Sequence, residues 1–297
     1  VKGKRFRKRL KRFKNVRKYE LQDKAFQYLG IFCTFFGIVV LGALLIDVLM
    51  AGLKRLDWDF LMSLPSRKAS EAGIYTAWIG TLWIMILTAI IALPMGIGAG
   101  LYLEEYGKKN KLANFIEINI ANLAGVPSII YGLLGLELFA RAMHLGDSIL
   151  TGALTLALLI LPIIIVSTRE ALKAVPYSIR EASYGIGATK WQTIWHQVLP
   201  ASMSGIITGA ILAISRAIGE TAPLVLIGSL SYISFAPTSP LDPFSVLPIQ
   251  IFNWISRPQP EFAENAAAAI IILLGITFLM NGIAVYFRYK AQKKIKW

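Results

Sequence analysis

The sequence is poor in the side chains that carry most enzyme chemistry. Its 297 residues include one cysteine and two histidines. The lone Cys33, set in an apolar stretch, excludes an intrachain disulfide framework. His144 and His196 stand far apart with no HxxxH or CxxC spacing around either, so the ligand sets of zinc and haem sites are missing. No GxxxxGKS or GxxxxGKT phosphate loop occurs, so the chain has no such route to ATP and no cofactor of its own is expected. GxSG and GxGD motifs are absent too, and no intramembrane histidine offers a base, so a membrane-embedded protease or lipid transferase lacks its machinery. The longest hydrophilic stretches reach only about thirty residues, which leaves no room for a soluble domain.

Apolar sequence fills that space. Crossing about 30 Å of hydrocarbon takes roughly 20 helical residues, and six runs are long enough: 26–52, 74–103, 112–140, 148–168, 203–230 and 266–287. The expected fold is all-α, a polytopic bundle of six transmembrane helices forming one membrane domain over 25–297 behind a basic tail at 1–24. The first run is too long and too late for a secretory signal, and no A-x-A site closely follows it, so it is expected to stay as an anchor.

A net charge of +14 invites a nucleic-acid reading, but the placement of the charges argues for a membrane. With a cytoplasmic N-terminus, the loops on that side hold 24 Lys or Arg residues against 6 on the other. That is the positive-inside bias, and it predicts both termini in the cytoplasm. The tail then reads as a topology signal that touches anionic lipid, or as a regulatory element; no nucleic-acid partner is expected. On the external side, Val246, Ile249, Gln250, Asn253 and Trp254 are spaced as one short helix at the membrane surface, either a plain interfacial helix or a docking surface for an external partner.

The cytoplasmic stretch 169–202 is the most informative hydrophilic segment. Ser178 with Glu181, and Thr189 with Gln192, have the spacing of capping boxes. They predict two short helices, with Gly185 and Gly187 permitting the reversal between them. In the second, Trp191, Ile194, Trp195, Val198 and Leu199 share one face before Pro200, which is expected to stop the helix. An apolar face of that size must be covered, by the protein's own helix ends or by a partner.

Arg216 and Glu220 stand inside the fifth run, one helical turn apart, where they are expected to pair on one helix face. An arginine at bilayer depth costs about 2.5–3.5 kcal/mol on insertion scales, so intramembrane ions usually border a water-filled pathway; mutual neutralisation for packing is the plainer reading. A guanidinium fork matches phosphate oxygens, and the carboxylate can accept the proton that phosphate retains near neutral pH and sulfate lacks. Thr221 adjoins the pair. In the third run Asn122, Gly125, Pro127, Ser128 and Gly132 interrupt the apolar sequence, and Pro127 suits the first position of a renewed helix whose free N–H groups, with Ser128, can face an anion. A kinked, closely packed helix is the alternative. Asp47, Glu117 and Glu137 are expected near span ends, where snorkelling makes charge cheap.

The spelling of these segments resembles known proteins. Glu181, Ala182 and Ser183, then Gly187, then Leu199 and Pro200, resemble the EAA loop of ABC importer permeases; Ser183 replaces an alanine and Gln197 the usual isoleucine. LEEY at 103–106, NLAGVPSIIYGLLGL at 122–136 and RAIGETAPL at 216–224 resemble the PstA type of phosphate importer permease. The resemblance implies a type I importer fold in the bacterial cytoplasmic membrane. It also implies a PstC-type second permease, a homodimeric PstB-type ATPase holding ATP and magnesium, and a PstS-type phosphate-binding protein outside. In such proteins the loop with Glu181, Ala182, Ser183, Gly187, Trp191, Leu199 and Pro200 is the coupling helix, seated in the ATPase. Permeases for phosphonate, sulfate or molybdate are the nearest alternatives, and a passive anion channel would give the loop no purpose.

Overall fold

The computed structural model describes residues 2–107, 111–228 and 232–293, and the side chains of residues 2–18, 112–113 and 291–293 lie outside the described set. The chain separates into two units, 1–51 and 52–297. The first consists of helix α1 (Lys2–Gly52), which ends one residue into the second unit.

The second unit is a helical bundle, with no β-strand among the described residues. In chain order it contains α2 (Trp58–Met62), α3 (Tyr75–Leu101), α4 (Lys111–Leu123), α5 (Ser128–Gly135), α6 (Ile149–Lys173), α7 (Tyr177–Gly185), α8 (Lys190–Thr193), α9 (Leu199–Ile218), α10 (Ala222–Leu226), α11 (Leu247–Ile255) and α12 (Glu261–Lys293). Among the described residues five helical segments are long and apolar enough to span a membrane, and a pair that passes the same test together, 114–123 and 128–142, is bent by 100°. Five of the six expected crossings are matched by such a helix, and the third by the bent pair, a broken span or a re-entrant loop, with its break at 124–127.

Helix α6 is the centre. Two thirds of its apolar window is buried, far more than in any other span. Ser148 caps its N-terminus by accepting from Thr151 N at 3.3 Å. It packs on α3 through small residues: a Cβ added at Gly96 would lie 2.6 Å from Ile164 Cγ2, and one at Gly100 would lie 2.8 Å from Thr168 Cβ. Lipid tails are as apolar as leucine, so such close backbone approach, rather than a hydrophobic drive, holds spans together. Thr88 adds a hydrogen bond across this interface, to Ala153 O at 3.3 Å. Ser215 Oγ donates to Asn281 Oδ1 at 2.7 Å and joins α9 to α12.

At the end opposite the 169–202 loop, Trp254 packs between Phe60 and Phe262, with ring centroids 5.9 and 6.3 Å away. The expected helix over 246–254 is present as α11; Phe252 and Ile255 on it are exposed, while the expected face is turned inward, with Gln250 and Trp254 each about 1% exposed. Burying a large apolar side chain is worth about 1.5–3 kcal/mol, and the α2 and α12 ends cover this one before lipid can.

Candidate functional site

The loop begins where α6 ends. Pro176, with φ −56° and ψ 138°, starts α7, so Ser178 is already the second helical residue and the capping box expected for Ser178 and Glu181 does not form. Proline fixes the helix entry by its own ring and leaves the serine no cap position. The Thr189 box does form: Thr189 Oγ1 accepts from Gln192 N at 3.3 Å, and Gln192 Oε1 accepts from Thr189 N at 2.8 Å. Between the two, Gly187 takes φ +85°, Ala188 N donates to Ser183 O at 3.2 Å and Gly187 N to Tyr184 O at 2.9 Å. This is the paired bonding of a Schellman end, which needs a left-handed residue at Gly187. Gly185 lies inside α7 and supplies no such turn. Ser183 Oγ and Thr193 Oγ1 are buried 2.9 Å apart and tie α7 to α8.

The apolar face splits in two. Ile194 and Val198 are fully buried, Val198 against Leu172 and Val175 of the same chain, whereas Trp191 and Trp195 are 58% and 53% exposed and stack at 5.5 Å. Leu199 is half-buried; Glu181, Ala182 and Gly187 are exposed. Pro200 does not stop the helix. A π turn over Ile194–Val198 carries α8 directly into α9, with Pro200 in the first turn. The wider turn leaves room for the pyrrolidine ring and needs no N–H from it.

What locks this loop in place is an ion network legible only in part from sequence. Arg180, almost fully buried, donates to Glu105 Oε1 from Nη2 at 2.7 Å and from Nε at 3.3 Å, to Val175 O at 2.9 Å and to Leu172 O at 3.1 Å. Glu105 lies in the π turn Tyr102–Tyr106 that ends α3. Its neighbour Glu104 pairs with Arg169 of α6 at 3.3 Å, and Arg169 also holds Glu117 of α4 at 2.9 Å. Glu117, midway along α4, is thus also an ionic anchor, with Lys173 at 3.9 Å. Tyr184, on α7, has its phenol pushed up first by burial and then by nearby Glu105. The available signal was LEEY itself: two adjacent acids at a span end among bases need partners.

Within the bundle, Arg216 and Glu220 pair at 3.3 Å as expected, but not on one helix. Helix α9 ends at Ile218, so Glu220 sits past its end and Thr221 precedes the short α10. The fifth predicted crossing is thus also interrupted, and its end at 229–230 lies outside the described residues. Glycine at 219 and proline at 223 do not continue a helix readily, which explains the break. Arg216 remains partly open, with 42% of its side chain exposed against 17% for Glu220.

The two breaks are adjacent. Helix α5 meets α10 at Gly132, where an added Cβ would lie 2.7 Å from Pro223 Cα. Tyr131 OH donates to Leu123 O at 2.8 Å across the bend between α4 and α5. Pro127 occupies the cap of α5 and Ser128 its first turn, one position later than the sequence suggested. Asn122 is exposed, with its carbonyl accepting from Gly125 N at 3.0 Å. Among the described residues no hydrogen bond joins the Asn122 or Ser128 side chain to Arg216. The arrangement offers an open guanidinium beside two interrupted spans, mechanically tied through α4 and α6 to the loop.

Comparison with known proteins agrees with this architecture. Residues 92–293 match the family described as the inner membrane component of binding-protein-dependent transport systems. The phosphate transport system permease protein PstA of Yersinia pestis is 38% identical over 220 residues, covering 74% of each chain. The Haemophilus influenzae protein of the same name is 31% identical over 285 residues, covering 95% of this chain and all of the relative. A probable ABC transporter permease of Bacillus subtilis, YqgI, is 31% identical over 78% of this chain and 83% of its own. Among solved structures, a chain of a bacterial ABC transporter that imports the acidic polysaccharide alginate superposes with TM-score 0.67 at 14% identity, over 91% of this chain and 97% of that one. A chain of the MetNI methionine ABC transporter gives 0.58 at 17% identity, over 71% and 93%. With a family match over most of its length and a fold shared with these importers, this integral inner-membrane protein belongs to the permease family of binding-protein-dependent ABC transport systems.

Proposed function

We propose that the chain is the membrane subunit of an ATP-driven importer that moves inorganic phosphate by alternating access. The observation that carries this reading is the open Arg216, paired with Glu220 at the point where one span breaks and packed beside a second broken span. A buried packing pair would need no interruption; a guanidinium beside freed backbone suits an oxyanion. Glu220 balances the empty-state charge and accepts the phosphate proton, Thr221 adjoins it, and Ser128 and Asn122 belong to the facing wall. The phosphate transport names of the relatives support the substrate.

The exposed Trp191–Trp195 stack, with Glu181, Ala182 and Gly187 beside it, is the face that a PstB-type ATPase dimer covers; ATP and magnesium belong to that partner. A PstC-type permease completes the pathway, and a PstS-type binding protein delivers the anion. The uneven distribution of Lys and Arg supports a cytoplasmic position for both termini and for this loop.

The test is phosphate uptake into vesicles carrying the assembled importer. A charge-assisted hydrogen bond is worth about 1.5–3 kcal/mol, so Arg216→Gln is expected to slow uptake roughly ten- to a hundredfold. Unchanged uptake refutes the pathway. Excess sulfate, molybdate or phosphonate is expected to compete weakly; equal competition refutes phosphate as the substrate.

A further inference from the structure

The end opposite the loop carries few cations: Lys54, Arg55, Arg67, Lys68, Arg141 and Arg257. Two of them are occupied. Arg55 bonds Asp57, Ser70 O and Ala72 O, and Arg141 pairs with Glu137. Three others, Arg67, Lys68 and Arg257, come from two loops far apart in sequence and line a single cavity of about 650 Å³. One acid, Glu71, also lines it and holds Lys68 at 3.1 Å. No carboxylate pairs with Arg67 or Arg257 among the described residues. Arg257 is nonetheless held in place, with Nε donating to Asn253 Oδ1 at 3.4 Å and its guanidinium 4.3 Å from the centre of the Phe262 ring. Buried Trp254 forms part of the floor, and Ser66 and Tyr232 add hydroxyls to the rim.

A concave site with cations in excess over low-dielectric walls concentrates anions. The membrane charge rule disfavours cations on the external side, so their convergence there needs another cause. A planar guanidinium fork held by an aromatic face, as at Arg257, suits a tetrahedral oxyanion better than a point charge does. We propose that this cavity is an external binding site for inorganic phosphate, separate from Arg216, where the anion rests before it enters the pathway; the assignment rests on the orientation and substrate proposed above.

The test is equilibrium binding of radiolabelled inorganic phosphate to the full chain in phosphatidylcholine nanodiscs. Saturable binding is expected, weakened about tenfold or more in Arg67→Gln/Arg257→Gln and retained in Arg141→Gln, a cation of the same end that does not line the cavity. Glu71→Gln removes the one opposing charge and is expected to tighten binding a few fold, a change of sign that damaged folding does not produce. Wild-type affinity in the double variant, or an equal weakening in Arg141→Gln, overturns the proposal. So does loss of the phosphate signal in phosphatidylglycerol discs, which would mean that the cavity holds a lipid headgroup. Uptake without this binding removes the cavity and leaves the transport reading; binding without uptake does the reverse.

Discussion

Replacing Arg180 with methionine tests whether the loop moves as one body with the α3 end. The substitution keeps an unbranched apolar stem but removes four hydrogen bonds and leaves the Glu105 carboxylate without its partner. Both side chains are about nine-tenths buried, at 10% and 8% exposure, so solvent screens the loss little. Stranding one member of a buried pair costs about 3–5 kcal/mol, and the lower end already shifts a docked equilibrium more than a hundredfold. Hydrogen exchange of the α7 amides on the purified chain is therefore expected to accelerate by about two orders of magnitude, while α6 core amides keep their protection. Uptake coupled to ATP hydrolysis should fall with it. Arg180→Met/Glu105→Leu removes both charges and should recover much of the protection, because an apolar pair of similar volume carries no desolvation penalty. If Arg180→Met exchanges within twofold of the parent, the ion pair does not hold the loop and the reasoning fails.

Gly187→Ala places a Cβ on a left-handed residue and should cost about 1–2 kcal/mol of loop stability, seen as faster exchange of the Ala188 amide; Gly185→Ala, inside α7 with nothing within 4 Å, should not. Gly132→Ala drives a Cβ against the Pro223 backbone and should lower the melting temperature of the detergent-solubilised chain and its uptake, with overpacking worth about 1–3 kcal/mol. Gly275→Ala, in open space on α12, should leave it equal or higher. Asp242 Oδ2 accepts from Thr238 N and Ser239 N at 2.8 Å each, which holds its carboxyl below the usual range. The same loop caps α6 through Ile149 N to Asp242 O and Leu150 N to Pro240 O. A depressed native pKa contributes stability above the unfolded value and loses it as pH falls through the native one. Relative to a control amide, Ile149 and Leu150 protection should stay flat from neutrality to about pH 5 and decline below about pH 4; a decline near neutrality would contradict the assignment.

Much of this molecule is written locally. Length and polarity of a run decide whether it spans a bilayer, because no unpaired backbone survives in hydrocarbon; hence the spans, the break at Pro127 and the Thr189 cap could be read residue by residue. The Arg216–Glu220 pairing was also local, four residues apart. What sequence alone did not settle were choices among partners. Ser178 lost its cap to Pro176, and Pro200 was absorbed by a π turn that only continuity with α9 makes worthwhile. Trp254 found its cover in a pocket between Phe60 and Phe262. The aromatic face divided because Ile194 and Val198 found apolar neighbours within the chain and the tryptophans did not. Glu104, Glu105 and Glu117 joined Arg169 and Arg180 across 52 to 75 residues of sequence. Pairings of that kind depend on which helix ends the bundle brings within a few ångströms, and three-dimensional packing alone decides that.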